Sequence, residues 1–174
     1  MKHIYVNRRP GQRAQGLLRV GRRVLACAIG RSGIVVNKRE GDGASPRGVW
    51  PLRRAFYRAD RVVRPAMRLT LRALRREDGW CDAPFDRNYN RFVRYPYPAS
   101  AERMWRHDAL YDIVIVVGHN ARPRSRGGGS AIFIHVAGDG PGGLQPTEGC
   151  IALRPRELRL LASWIGPETK LHIE

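Results

Sequence analysis

Two neighbouring stretches decide how the chain is read: Ile132-Phe133-Ile134-His135-Val136-Ala137 and Pro146-Thr147-Glu148-Gly149-Cys150-Ile151-Ala152-Leu153. Ala131 to Val136 is an apolar run broken only by His135 and bounded by turn residues, the pattern of a strand buried on both faces. A histidine thus closes a buried strand, and fifteen positions later a cysteine follows glycine at the end of a Gly/Pro-rich loop. A thiol needs a nearby base to become a thiolate at neutral pH, and imidazole is the usual one. A cysteine placed after glycine can also offer its own N–H, with a neighbouring N–H, to a developing oxyanion. Glycine helps because no Cβ obstructs the inward turn of those donors. The same residues also fit a plain core, where cysteine is among the most buried residue types.

Outward from this centre the pattern is mostly strand-like. Ile113 to Val117 is a second buried run, which sets His119-Asn120 at a sheet end near His135 and makes His119 a candidate second polar group. Leu17 to Ile29 is rich in β-branched and small residues, and Gly30-Arg31-Ser32-Gly33 reads as a hairpin turn before Ile34-Val35-Val36. Trp50, Leu52 and Phe56 alternate with arginines, as Met67, Leu69 and Leu71 do with Arg68, Thr70 and Arg72. Lys170 to Ile173 reads as a final strand. The best helix starts at Pro155, has Glu157 in its first turn, carries Leu158, Leu161, Ala162 and Ile165 at helical spacing, and stops at Gly166-Pro167. A shorter helix is expected from Ser100 through Trp105. Gly127-Gly128-Gly129 lacks the Lys-Ser/Thr and helix of a phosphate loop and reads as a hairpin tip. The expectation is a mainly β fold with one or two helices, in a single domain over residues 1–174.

Composition narrows the function classes. With 43% hydrophobic and 27% charged residues, the chain of 174 residues is globular and long enough for one sizeable core. No stretch approaches the ~18 apolar residues of a membrane span. Cys27, Cys81 and Cys150 show neither metal nor disulfide spacing. The net charge is +17, and residues 1–76 carry 20 Lys/Arg against 3 Asp/Glu. That half favours an anionic partner or surface, or is simply arginine spread over solvated strand faces. Met1 to Pro10 contains no apolar h-region or cleavage site, so no secretory signal is expected.

Ile134-His135 followed by Thr147-Glu148-Gly149-Cys150-Ile151 resembles the signature of the YkuD-type L,D-transpeptidases, an Ile-His pair and then Ser/Thr-x-Gly-Cys-Ile/Val. Ser45-Pro46-Arg47-Gly48-Val49-Trp50 looks like that family's upstream Thr-Pro-x-Gly-x-aromatic segment, and the resemblance spans roughly residues 17 to 173. It implies a β-sandwich-like catalytic fold, peptidoglycan stem peptides as partners and no need of a metal or organic cofactor. It also implies a thioester formed by cleaving an L-to-D peptide bond, then transfer to the amine of a second stem peptide. By position Cys150 is the nucleophile and His135 the base, oriented by a carbonyl around Val136 to Gly138. The N–H groups of Cys150 and Gly149 form the oxyanion hole, and Thr147 shapes the loop.

Departures concern the donor side. Ala152 stands where the family commonly has Arg or Asn, Glu148 where many members are basic, and Val136 where Gly or Ser is frequent. Arg154 or an arginine of the first half is expected to replace the missing anchor, because bidentate guanidinium suits stem-peptide carboxylates. Trp80-Cys81-Asp82 with Tyr89-Asn90 is expected either to form a substrate rim or to be a packed loop. Glu40-Gly41-Asp42-Gly43, Trp80-Cys81-Asp82 and Thr147-Glu148-Gly149-Cys150 resemble a short, signal-less proteobacterial branch linked to cross-links through L-Ala at stem position 1. The implied location is the cell envelope or periplasm, with a cytoplasmic precursor as the alternative. Two rival functions remain open: a cysteine carboxypeptidase or amidase that ends in water, and a basic nucleic-acid-binding module. Against the latter, the arginines lack aromatic interleaving, and no helix-turn-helix or zinc spacing occurs.

Overall fold

Short alternating strands dominate the chain because apolar and arginine-rich positions trade places at a period of two. The computed structural model describes residues 1–174. Strands β1 (His3–Arg8), β2 (Gln15–Val20) and β3 (Arg23–Ala28) form an antiparallel meander. The short β4 (Ile34–Val35) and β5 (Ser45–Pro46) pair in parallel and lead into the long β6 (Gly48–Tyr57), whose far end β7 (Leu71–Ala73) flanks in parallel. A separate antiparallel sheet contains β8 (Asp78–Cys81) between β9 (Arg91–Arg94) and β10 (Ala101–Arg103). Antiparallel β11 (Ile113–Val117) and β12 (Phe133–Val136) follow, then the small hairpin β13 (Asp139–Gly140) and β14 (Gly143–Leu144). The chain finishes with β15 (Ile151–Leu153), helix α1 (Pro155–Trp164) and β16 (Lys170–Ile173).

The main sheet runs β11-β12-β15-β3-β2-β1-β16-β6-β7 and closes on itself, because β6 also pairs with β11. The ten residues of β6 permit this: Gly48–Pro51 pair with β16, and Leu52–Tyr57 reach β11. The sandwich-like layering therefore arises from one sheet folded back until two of its strands meet. Its interior holds a cluster of 23 buried apolar residues, to which α1 adds Leu158 and Leu161. Pro155 starts α1 at its first turn, and Ile165 leaves it in extended conformation. A second cluster, including Phe56, Trp80, Met104, Tyr111, Phe133 and Cys150, lies on the outer face of β11 and β12 under the β10-β8-β9 sheet.

Three local expectations change. Ser100 to Trp105 is not a helix: Ala101–Arg103 is a strand, with Glu102 opposite Trp80. Six residues are too few to repay helix nucleation, and β8 offers a free edge. Gly30–Gly33 is not the turn of a hairpin, since β4 pairs with β5 and not with β3. Instead Gly30 bridges to Thr147, and the backbone bonds Arg31 N–H to Thr147 O and Thr147 N–H to Ile29 O tie this turn to the cysteine loop. Met67 and Leu69 precede the strand, which is confined to Leu71–Ala73 because β16 already occupies Gly48–Pro51 of β6.

Ser45 locks the cysteine loop from the other side. Its fully buried hydroxyl accepts from Gly30 N–H at 3.0 Å and donates to Gly149 O at 2.9 Å. Gly149 sits at φ +138°, where a Cβ would lie 2.7 Å from Ala44 O, so this position requires glycine. Replacing Ser45 by alanine strands two buried backbone groups, and the denaturant midpoint should drop by the equivalent of about 2–3 kcal/mol. An unchanged midpoint would show that this clamp contributes nothing.

Candidate active site

Register brings the two reactive side chains together. Strands β12 and β15 are parallel, with Ile134 opposite Ile151 and His135 opposite Ala152. Ile134, Ile151 and Leu153 therefore point into the closed sheet, while Phe133, His135, Cys150 and Ala152 share the outer face. His135 lies opposite Ala152, and Cys150, two residues before it, is the diagonal neighbour on that face. Both line one cavity of about 440 Å³, with Lys38, Glu102, Arg106 and Tyr111 among its walls.

Each reactive group is held neutral. The Cys150 thiol donates to Ala131 O at 3.2 Å and accepts from Phe133 N–H at 3.3 Å. Burial pushes this thiol up to about 12, the Glu102 carboxyl adds to the shift, and the Phe133 N–H opposes it. His135 Nδ1 lies 2.8 Å from Val136 O. A carbonyl only accepts, so Nδ1 carries the hydrogen and Nε2 is left with a lone pair. Burial pulls the imidazole down to about 4 against the effect of the Val136 carbonyl. Tyr111 meets the His135 ring at 5.3 Å and Phe133 edge-on at 5.9 Å, which restricts the imidazole. No hydrogen bond joins thiol to imidazole; the pair is a neutral thiol beside a neutral proton acceptor.

Thr147 organises the loop. Its hydroxyl donates to Cys150 O at 2.6 Å and accepts from Gly149 N–H at 3.1 Å. The expectation that Gly149 N–H helps to form an oxyanion hole is thus corrected: Thr147 occupies that donor. The N–H of Cys150 itself has no protein acceptor and remains available for an anion.

Several other sequence candidates lie elsewhere. Trp80 Nε1 donates to Asn90 Oδ1 at 2.9 Å, and Asn90 Nδ2 reaches His119 O and Asn120 O at 3.0 and 2.9 Å. Ala131 N–H donates to the same Asn90 oxygen at 3.2 Å. Trp80, Tyr89 and Asn90 are buried and do not line the cavity, so they are no rim. They brace Ala131, the residue whose carbonyl holds the thiol. The Tyr89 hydroxyl donates to Glu40, which does line the cavity. His119 is not beside His135, because antiparallel pairing puts Val114 opposite His135 and leaves His119 past Val117, the far end of β11. There its Nε2 meets Gly128 O at 2.8 Å and its ring abuts Trp50. Arg154 is largely exposed, lies 3.5 Å from Asp139 and is outside the cavity. No arginine of residues 1–76 lines the cavity either; its cations are Lys38 and Arg106. Glu102, Tyr111 and Arg106 escaped the sequence reading, since the turn of Glu102 toward the cavity depends on β10 pairing with β8. No group of three or more His, Cys, Asp or Glu is placed to hold a metal ion.

A family model described as the L,D-transpeptidase catalytic domain (YkuD) matches residues 2–173, and the chain belongs to that family. No curated protein and no solved structure matches it. The family acts on peptidoglycan stem peptides with L,D-transpeptidase-type chemistry and is typically associated with the cell envelope. No helix of the chain is long and apolar enough to cross a membrane.

Burial of a neutral His135 makes stability depend on pH. Unfolded, the imidazole binds a proton below about 6.5; folded, only below about 4. Between these values the unfolded state holds more protons, so acidification from 6.5 to 4 removes stability, by at most about 3 kcal/mol from this residue. Urea midpoints at pH 7 and pH 4.5 should differ less in His135→Gln than in the wild type. Equal differences would mean that the buried imidazole makes no such contribution.

Proposed function

We propose that the cavity is the active site of a peptidoglycan L,D-transpeptidase, with Cys150 as nucleophile and His135 as general base. The observation that carries this reading is the fixed tautomer of His135, whose Nε2 lone pair shares a cavity with the Cys150 thiol. Because both groups rest neutral, the thiol leaves Ala131 O and gives its proton to Nε2 as sulfur attacks the donor carbonyl. The oxyanion forms beside the free Cys150 N–H. Collapse breaks the C–N bond of an L-to-D link, and Nε2–H returns its proton to the departing amine. The thioester then waits for the amine of an acceptor stem peptide, and a second tetrahedral intermediate releases the thiol.

The donor bond in this reading is the one after L-Ala at stem position 1. Support comes from the Thr147-Glu148-Gly149-Cys150 block and from Ala152, which is buried directly beside His135 where a longer side chain would fill the space. The substrate places the reaction in the cell envelope.

Mass spectrometry of muropeptides from sacculi treated with the protein tests both levels. Cys150→Ala should abolish new cross-links, and His135→Ala should slow their formation by roughly 10²-fold or more. Cys27→Ala and Cys81→Ala should remain active, because neither lines the cavity. Cross-links through position 3 would correct the donor alone. Trimmed, unlinked stems would make the protein a hydrolase, and wild-type cross-linking by Cys150→Ala would remove the nucleophile assignment.

A further inference from the structure

The cavity has the opposite charge from the chain around it. Its charged walls are Lys38, Glu40, Asp82, Glu102, Arg106 and Glu148. Lys38 is already paired with Asp42 at 2.6 Å, Arg106 with Asp108 at 2.7 Å and Glu148 with Arg31 at 2.9 Å, all partners outside the cavity wall. Glu40, Asp82 and Glu102 form no ion pair. A chain of net charge +17 thus presents three uncompensated carboxyl groups and no uncompensated cation to its substrate.

An independent sign of a missing hydrogen-bonding ligand lies in the same wall. Ser130 is only 8% exposed, and its hydroxyl has no neighbour other than Tyr89 to bond. Asp82 Oδ1 is buried and unpaired. Buried polar atoms without partners are uncommon and costly, and an ammonium group with three N–H donors suits such acceptors.

Glu102 is the carboxyl tied to the reactive pair. Tyr111 donates its hydroxyl to Glu102 Oε1, and the same tyrosine ring rests against His135. Burial raises the Glu102 carboxyl above its ordinary range, the Tyr111 hydrogen bond and Arg106 oppose this, and Asp82 and Glu40 reinforce it. A carboxyl raised in this way is a stronger proton acceptor than an exposed one.

We propose that Glu102, positioned by Tyr111, binds the ammonium group of the acceptor and takes its proton, delivering a neutral amine to the thioester on Cys150. This rests on the reading of Cys150 as the acylated residue. An aliphatic ammonium with pKa near ~10.4 has no lone pair at pH 7. One proton passes to the Glu102 carboxylate, and the freed nitrogen attacks the thioester carbonyl. A second proton passes from that nitrogen to His135 Nε2, the C–S bond breaks as the amide C–N bond is completed, and the departing sulfur takes the proton from Nε2. Glu102 then loses its proton to water.

The test separates acylation from transfer. Wild type, Glu102→Gln and Tyr111→Phe are given a stem-peptide donor, and the thioester on Cys150 is followed by intact mass, with and without an acceptor stem peptide. Glu102→Gln should still form the thioester, and the rate at which an acceptor resolves that preformed thioester at pH 7 should fall by roughly 10²-fold. Transfer by this variant should climb about tenfold per pH unit as the acceptor amine loses its proton. Hydroxylamine, already neutral at pH 7, should resolve the thioester equally in both proteins. Tyr111→Phe, which loses only the hydroxyl, should show a smaller loss with the same pH rescue. Wild-type transfer by Glu102→Gln at pH 7, or an equal loss with hydroxylamine, would overturn the role of Glu102. Absence of any thioester on wild-type Cys150 would overturn the nucleophile itself and this role with it.

Discussion

The parallel pairing of β12 with β15 is the constraint on which the site depends. Parallel strands cannot be joined by a tight hairpin, so the chain must leave β12, cross over and return in register. The crossover contains the β13–β14 hairpin and the Thr147-Glu148-Gly149-Cys150 loop. Because side chains alternate, a slip of one residue would turn Cys150 into the apolar interior and bring Ile151 to the cavity. The loop is held on several sides against such a slip. Thr147 bridges to Gly30, Ser45 holds Gly149, and Thr147 holds Cys150. Gly149 is forced by its own close approach to Ala44.

Burial then sets the chemistry. Cys150 and His135 sit where water does not stabilise charge, so the thiol is raised and the imidazole lowered. A preformed thiolate–imidazolium pair is disfavoured. The two cations of the cavity wall, Lys38 and Arg106, are paired with Asp42 and Asp108, and most of the chain's positive charge lies elsewhere. It resides on exposed strand positions such as Arg53 and Arg54 and at surface pairs such as Arg31 with Glu148. Net charge and local field therefore point in opposite directions, and the local field governs the reacting groups.

Much of this was legible in the residues themselves. Period-two alternation and continuous apolar runs mark β11, β12 and β16, and Pro155 with Gly166-Pro167 brackets α1. Cys150 and His135 could be singled out because the chemistry of thiol activation demands a base and a glycine-bearing turn, and Thr147 because it matches the Ser/Thr of the family signature. What failed depends on pairing between distant segments. Sequence alone sets His119 at a sheet end with His135, and the antiparallel register of β11 separates them. Trp80 and Asn90 carry polar atoms that suggest a surface, yet those atoms satisfy each other in the interior. Glu102 was hidden inside a presumed helix, and only its place opposite Trp80 in β10 brings it to the cavity.

The central claim is that Cys150 becomes acylated by a peptidoglycan stem peptide. It is tested most directly by mixing the protein with a disaccharide stem peptide and no acceptor, quenching in acid and mapping the peptides by mass spectrometry. The account predicts an acyl mass confined to the peptide containing Cys150 and removed by neutral hydroxylamine, as a thioester is. Stem-peptide cleavage with no acyl mass on Cys150, or with that mass on Cys27 or Cys81, would contradict it.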